Sequence, residues 1–170
     1  MSTIQKVRDL GPTILIPLAW IFRGLSIFGM IGLHNMFIAH LVMLFFLTFF
    51  LSTGWSEMDG GVLETWRLVM VLGVIVTSLG VVGFINEQNI LLIASLLGWM
   101  FIPSIGLFDT GRRKKSGKSY VLLGILSTIA IFLMGYFVFI KPAVVVGMTS
   151  LLMVAISQSA SILFATMENS

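Results

Sequence analysis

Ten Lys or Arg, seven Asp or Glu and two His carry most of the ionisable chemistry of a 170-residue chain that has no cysteine. Without Cys there can be no disulfide, thiolate metal site or thiol nucleophile. No GxSxG or HExxH pattern occurs, and no paired acidic residues lie inside an apolar run, so catalytic triads and metal-assisted hydrolysis lack their parts. His34 and His40 are six positions apart, which does not place them on one helical face, so no metal site is expected. The run Gly111 to Ser119, GRRKKSGKS, has five residues between its glycines where a phosphate loop needs four, and no soluble strand precedes it. Nucleotide binding is rejected. The expectation is a protein with no catalytic residues and no cofactor.

What remains are polar groups in apolar surroundings. Arg23 is the most unusual, because an ionisable group inside a bilayer is expensive and by default functional. In a helix starting at Ile14 it would lie about 14 Å along the axis, close to mid-membrane. A span starting near Pro17 to Trp20 would instead let Arg23 snorkel to cytoplasmic headgroups, with Pro12 to Pro17 at the interface. Both placements stand at this level, and a buried Arg23 would need a carbonyl or hydroxyl partner. His34 and His40 fall beside the first outer turn. They are read either as an interfacial and a hydrogen-bonded histidine or as groups that external acid would charge. Ser150, Ser157, Gln158, Ser159 and Ser161 fall in the last apolar run. Ser157 and Ser161 form a small-xxx-small pair, and Gly147, Ser150, Ser157 and Ser161 share one face. Such a face lets helices approach closely; the alternative is a polar pore lining. Pro103 beside Ser104 predicts a kink whose freed carbonyls pack or line a cavity.

The elements that must position these residues follow from composition. Hydrophobic residues make up 58% of the chain and charged ones 10%, against about 25% charged in ordinary soluble domains, and mean hydropathy is +1.07. No water-soluble fold of this size hides that much apolar surface, so the solvent is lipid. Apolar runs at about 14–33, 36–53, 67–85, 90–108, 120–140 and 143–165 are each long enough to span it. Backbone groups in hydrocarbon must pair within the segment, so these are helices. The expected fold is an all-α integral membrane protein, a single domain over residues 1–170. Short turns are expected at His34-Asn35, Asn86 to Asn89 and Lys141-Pro142, and longer loops at Gly54 to Trp66 and Asp109 to Ser119. With the N-terminus inside, Lys6, Arg8, Arg67, Arg112, Arg113, Lys114, Lys115 and Lys118 gather on one side and Lys141 alone on the other, so both termini are expected to be cytoplasmic. The run Arg112 to Lys118 is read as a topology determinant that attracts anionic lipid headgroups rather than nucleic acid.

Gly24, Gly73 and Gly124 recur at intervals of 49 and 51, each in an odd-numbered span and each followed by a second glycine, Gly29, Gly80 and Gly135. That suggests three tandem helical hairpins. A rival division into two inverted three-helix halves rests on Leu18 to Phe22 against Leu97 to Phe101 and on Thr77-Ser78-Leu79 against Thr149-Ser150-Leu151.

Trp66 to Gly80 with Asn86 to Gly98, and Gly124 to Ser127 with Lys141-Pro142 and the small-residue return helix to Ser161, resemble the HdeD-like family of small six-helix membrane proteins. The first hairpin lacks the proline that such turns often carry. The resemblance implies a prokaryotic plasma (inner) membrane protein, linked in some members to acid stress, with no catalytic residues to carry over. Two functions are expected. One is a non-enzymatic membrane protein that supports stress tolerance or packs as a homo-oligomer or as a subunit of a larger membrane assembly. The other is a small channel or transporter for a neutral solute or an anion, lined by Arg23, His40, Ser150, Ser157, Gln158 and Ser161.

Overall fold

Long apolar runs interrupted only by single polar residues leave a backbone without water one local solution, the α-helix, and the chain takes it six times. The structure is a computed structural model that describes the backbone of residues 3–168 and the side chains of residues 11–165. The helices are α1 (Thr3–Ile27), α2 (Leu33–Gly54), α3 (Gly61–Ile85), α4 (Asn89–Arg113), α5 (Gly117–Phe139) and α6 (Val144–Glu168), with a 3-10 turn at Trp55–Met58 between α2 and α3. The described residues contain no strand. The side chains of Lys6 and Arg8, counted above toward sidedness, lie outside the described residues.

Five of the helices are long and apolar enough to cross a membrane; in α1 the apolar stretch is the shorter Gly11–Ile27. This is an α-helical, multi-pass membrane protein. Each helix packs on the next, and α1 against α6 closes the set into a ring whose thinnest helix-to-helix seam is α1 with α2. Trp20, Leu96, Met100, Ala130, Met134, Leu151 and Val154 fill the centre. The outer surface is the reverse of a soluble protein's, with Phe132 76% and Val145 77% exposed. That inversion is what a lipid solvent selects, because apolar side chains facing acyl chains cost nothing.

Several boundaries differ from the apolar runs. The two long loops are mostly helix: α3 begins at Gly61, and α4 and α5 leave only Lys114 to Ser116 between them. Charged residues end an apolar run but not a helix, and Arg112 and Arg113 favour the carbonyl end of α4 electrostatically. Gly111 and Gly117 allow the close return, since a Cβ on Gly117 would collide with the Gly111 carbonyl.

The first span is shifted further. α1 starts at Thr3, runs through Pro12 and Pro17, and stops at Ile27 rather than 33. It stops because Gly29, at φ +71°, lets Met30 N–H bond the Leu25 carbonyl (3.0 Å) and its own N–H bond that of Ser26 (3.0 Å), the glycine-terminated helix end. The first turn is therefore 28–32, and His34 and Asn35 open α2 instead of forming it. Gly29 is outside any helix. Gly24 is three residues from the end of its helix, whereas Gly73 and Gly124 are twelve and fifteen from theirs, so the three glycines sit at different depths.

Candidate functional site

The sequence points to two groups of interior polar residues, and the structure keeps them apart. The first is on α6. Ser150 donates to the Ala130 carbonyl (2.7 Å) and Ser157 to that of Leu123 (2.7 Å), both on α5. Ser161 donates to the Gln158 carbonyl one turn back (2.7 Å). All three serines are buried. Gln158 reaches two further helices. Its Oε1 accepts from the Trp20 indole of α1 (3.0 Å), and its Nε2 donates to the Trp99 carbonyl of α4 (3.2 Å). The second bond has a cause in the sequence. Pro103 has no N–H, so the Trp99 carbonyl four residues earlier loses its intrahelical donor, and Gln158 replaces it. The proline lies inside a continuous α4. These hydroxyls and this amide join helices to one another, as small polar residues in membrane bundles commonly do.

The second group lies near the opposite end of the bundle from the basic turn. Arg23 is in the last turns of α1, four residues before Ile27, which is about 6 Å from the helix end. That end carries the α1–α2, α3–α4 and α5–α6 turns, so Arg23 is far from Arg112 to Lys118 and does not snorkel toward their side. The placement follows from where α1 stops, which its glycine turn decides. Ile16, Trp20 and Ile27 of α1 contact the central core, and Arg23 follows Trp20 by three and precedes Ile27 by four, so it shares their inward face. Its Nε is buried without a hydrogen-bond partner. His40 of α2 has its Nδ1 2.9 Å from the Met36 carbonyl and its ring against Phe84 (5.0 Å between centroids). Beyond His40 stands Ser95 of α4, 1% exposed, whose Oγ also lacks a partner. Gly80 makes this convergence possible: a Cβ there would stand 2.6 Å from His40 Cδ2 and 2.7 Å from Ser95 Oγ. His34 is exposed and takes no part.

A reciprocal pair of clasps holds α3 to α4. Trp99 donates to the Thr77 hydroxyl (2.9 Å), which donates to the Gly73 carbonyl (2.7 Å). Trp66 donates to the Thr110 hydroxyl (3.0 Å), which donates to the Gly106 carbonyl (2.7 Å). Gly73 also leaves the space its indole fills, since a Cβ would meet Trp99 at 2.8 Å. Ser104 and Ser127 join α4 to α5 (2.8 Å).

At the basic end, Arg112, Arg113, Lys115 and Lys118 are exposed. Arg113 pairs with Asp109 (2.9 Å), which also accepts from Thr65 (2.6 Å). Lys114 lies 5.8 Å from the Tyr120 ring centre. On the outer surface, a shallow apolar groove of about 550 Å³ runs between α2 and α3 past Thr48, Trp55 and Val71, and one of about 200 Å³ between α1 and α6 past Gly24 and Met148.

Comparison of the chain with protein families, curated proteins and solved structures finds no match. Sequence reasoning missed Ser95 and the roles of Gly80, Trp20, Trp99 and Thr77. The only advance signal for Ser95 is a single hydroxyl in an apolar helix, which is common. The partner of Gln158 was closer to legible, because Pro103 announces a carbonyl in need of a donor.

Proposed function

We propose that this chain is a non-enzymatic protein of a prokaryotic plasma membrane that crosses the bilayer six times with both termini cytoplasmic. It acts through packing: as HdeD-like proteins would, it supports the membrane under stress or serves as a subunit of a larger membrane assembly. The observation that carries this reading is the filled centre. Leu, Met and Trp side chains occupy it, and the α6 serines and Gln158 bond neighbouring helices instead of facing a polar path. The basic end, from Arg112 to Lys118, faces anionic headgroups on the cytoplasmic side.

A second reading, a small channel or transporter for an anion or neutral solute, draws on Arg23, whose buried Nε has no partner. Flux assays in proteoliposomes separate the two. The packing role expects the same solute and anion leak for wild type, Arg23→Ala and Gln158→Leu; a leak that depends on Arg23 or Gln158 would favour transport.

A further inference from the structure

The groove of about 550 Å³ between α2 and α3 is apolar along its length and charged at one end. Thr48, Ser52 and Trp55 mark its α2 side at spacings of four and three, a single helical stripe that runs about 10 Å at the rise of a helix. The two hydroxyls turn their protons back onto their own helix, Thr48 to the Leu44 carbonyl (2.8 Å) and Ser52 to that of Phe49 (3.0 Å). Val71, Val74 and Ile75 form the α3 side. The charged end is built around Trp55. The Arg67 guanidinium lies over its ring, 4.8 Å from the centre, and pairs with Asp59 through Nη1 (2.9 Å). The Arg67 side chain is 17% exposed and that of Asp59 77%, so the cation is held against the groove and the carboxylate faces out. Glu64 and Arg67 precede Val71 by seven and four residues, which puts both on the groove side of α3, and Glu57 stands in the 3-10 turn with Trp55. Both glutamates are exposed. Three carboxylates thus accompany one guanidinium, the reverse of the basic α4–α5 turn at the same end of the bundle.

Tryptophan and arginine together at a helix end mark the level where acyl chains meet headgroups. From that level the groove leads into the hydrocarbon, as a lipid tail does. We propose that it binds one phospholipid with a zwitterionic, amine-bearing headgroup, its acyl chain between α2 and α3, its phosphate on Arg67 and its ammonium on Asp59. The planar guanidinium matches phosphate oxygens. The Arg67 contacts to Asp59 and to the Trp55 carbonyl (3.5 Å) both use Nη1, and a guanidinium carries five N–H donors, so phosphate need not displace the carboxylate. A headgroup with negative charge alone would meet Glu57, Asp59 and Glu64 with nothing to offset them. The site is separate from the basic turn, whose charge calls for anionic lipid.

The test uses the full chain, purified in detergent, stripped of lipid and mixed with equal amounts of phosphatidylethanolamine and phosphatidylglycerol of identical acyl chains. Native mass spectrometry then weighs what is retained. Wild type is expected to hold one phosphatidylethanolamine in preference to phosphatidylglycerol. Ser52→Phe fills the groove from an exposed position and abolishes that retention without lowering the unfolding temperature. Arg67→Gln weakens retention about tenfold, and Arg67→Lys, which keeps the charge, weakens it less. Asp59→Asn removes the preference for phosphatidylethanolamine while phosphatidylglycerol binding holds or rises. Lys141→Gln, at the opposite end of the bundle, changes nothing. The proposal is overturned if wild type retains neither lipid or retains phosphatidylglycerol as readily, or if Ser52→Phe leaves retention intact. It is equally overturned if the chain is weighed as a dimer that Ser52→Phe separates, which would make a second copy the occupant of the groove.

Discussion

At the scale of single residues, Pro103 and Gln158 form one device although they lie on different helices. The proline exposes the Trp99 carbonyl, and the glutamine covers it while holding the Trp20 indole. Gln158→Leu strands both groups and is expected to lower stability by about 1–2 kcal/mol in detergent unfolding titrations. In a Pro103→Ala background the carbonyl regains a helical donor, so the same substitution should cost less; equal costs in both backgrounds would show that the two residues are independent. Glycines give a second contrast. Gly80→Ala places a Cβ against His40 and Ser95 and should cost about 1–3 kcal/mol by overpacking. Gly135, with nothing within 4 Å of its Cβ position, should accept Ala with no loss and gain up to about 1 kcal/mol from helix propensity. Of these residues Gln158 and Arg23 stood out in the sequence, because polar side chains are rare in apolar runs. Gly80 was visible only as one of the recurring glycines and not for its packing, because a glycine's use depends on which neighbour approaches it.

At the scale of helices, the ends are where pattern and structure part. Hydropathy locates where lipid stops, whereas a helix stops where a residue adopts the left-handed turn. Gly29 does so at φ +71° and Glu87 at φ 53°. The two turns predict opposite responses. Gly29→Ala should destabilise by about 1 kcal/mol, and Glu87→Gly should stabilise by up to about 1 kcal/mol, since a side chain with a Cβ is strained in that conformation. Equilibrium unfolding of the two variants beside wild type checks both signs. The hidden stop at Gly29 also explains why Arg23 resisted placement from the sequence: its depth is counted from the end of α1, and an apolar run passes through that end without a break.

At the scale of the whole molecule, the charge on the turns predicts a sidedness that can be tested. The absence of native cysteine makes single-cysteine labelling clean. Cysteines placed at Glu87 and at the exposed Lys115 are expected to react from opposite faces of sealed vesicles, Lys115 from the cytoplasmic face; labelling of both from one face would refute the topology. The number of helices, their apolar surfaces and a membrane as solvent were determined by sequence alone, because the bilayer imposes a length and a hydropathy that any spanning segment must meet. The closure of α1 onto α6, the use of the α6 hydroxyls as bonds between helices and the approach of His40 and Ser95 over Gly80 were decided only by tertiary structure. Lipid-facing and core-facing positions are both apolar, so the pattern does not reveal which face of a helix turns inward, and inward faces determine which polar groups meet.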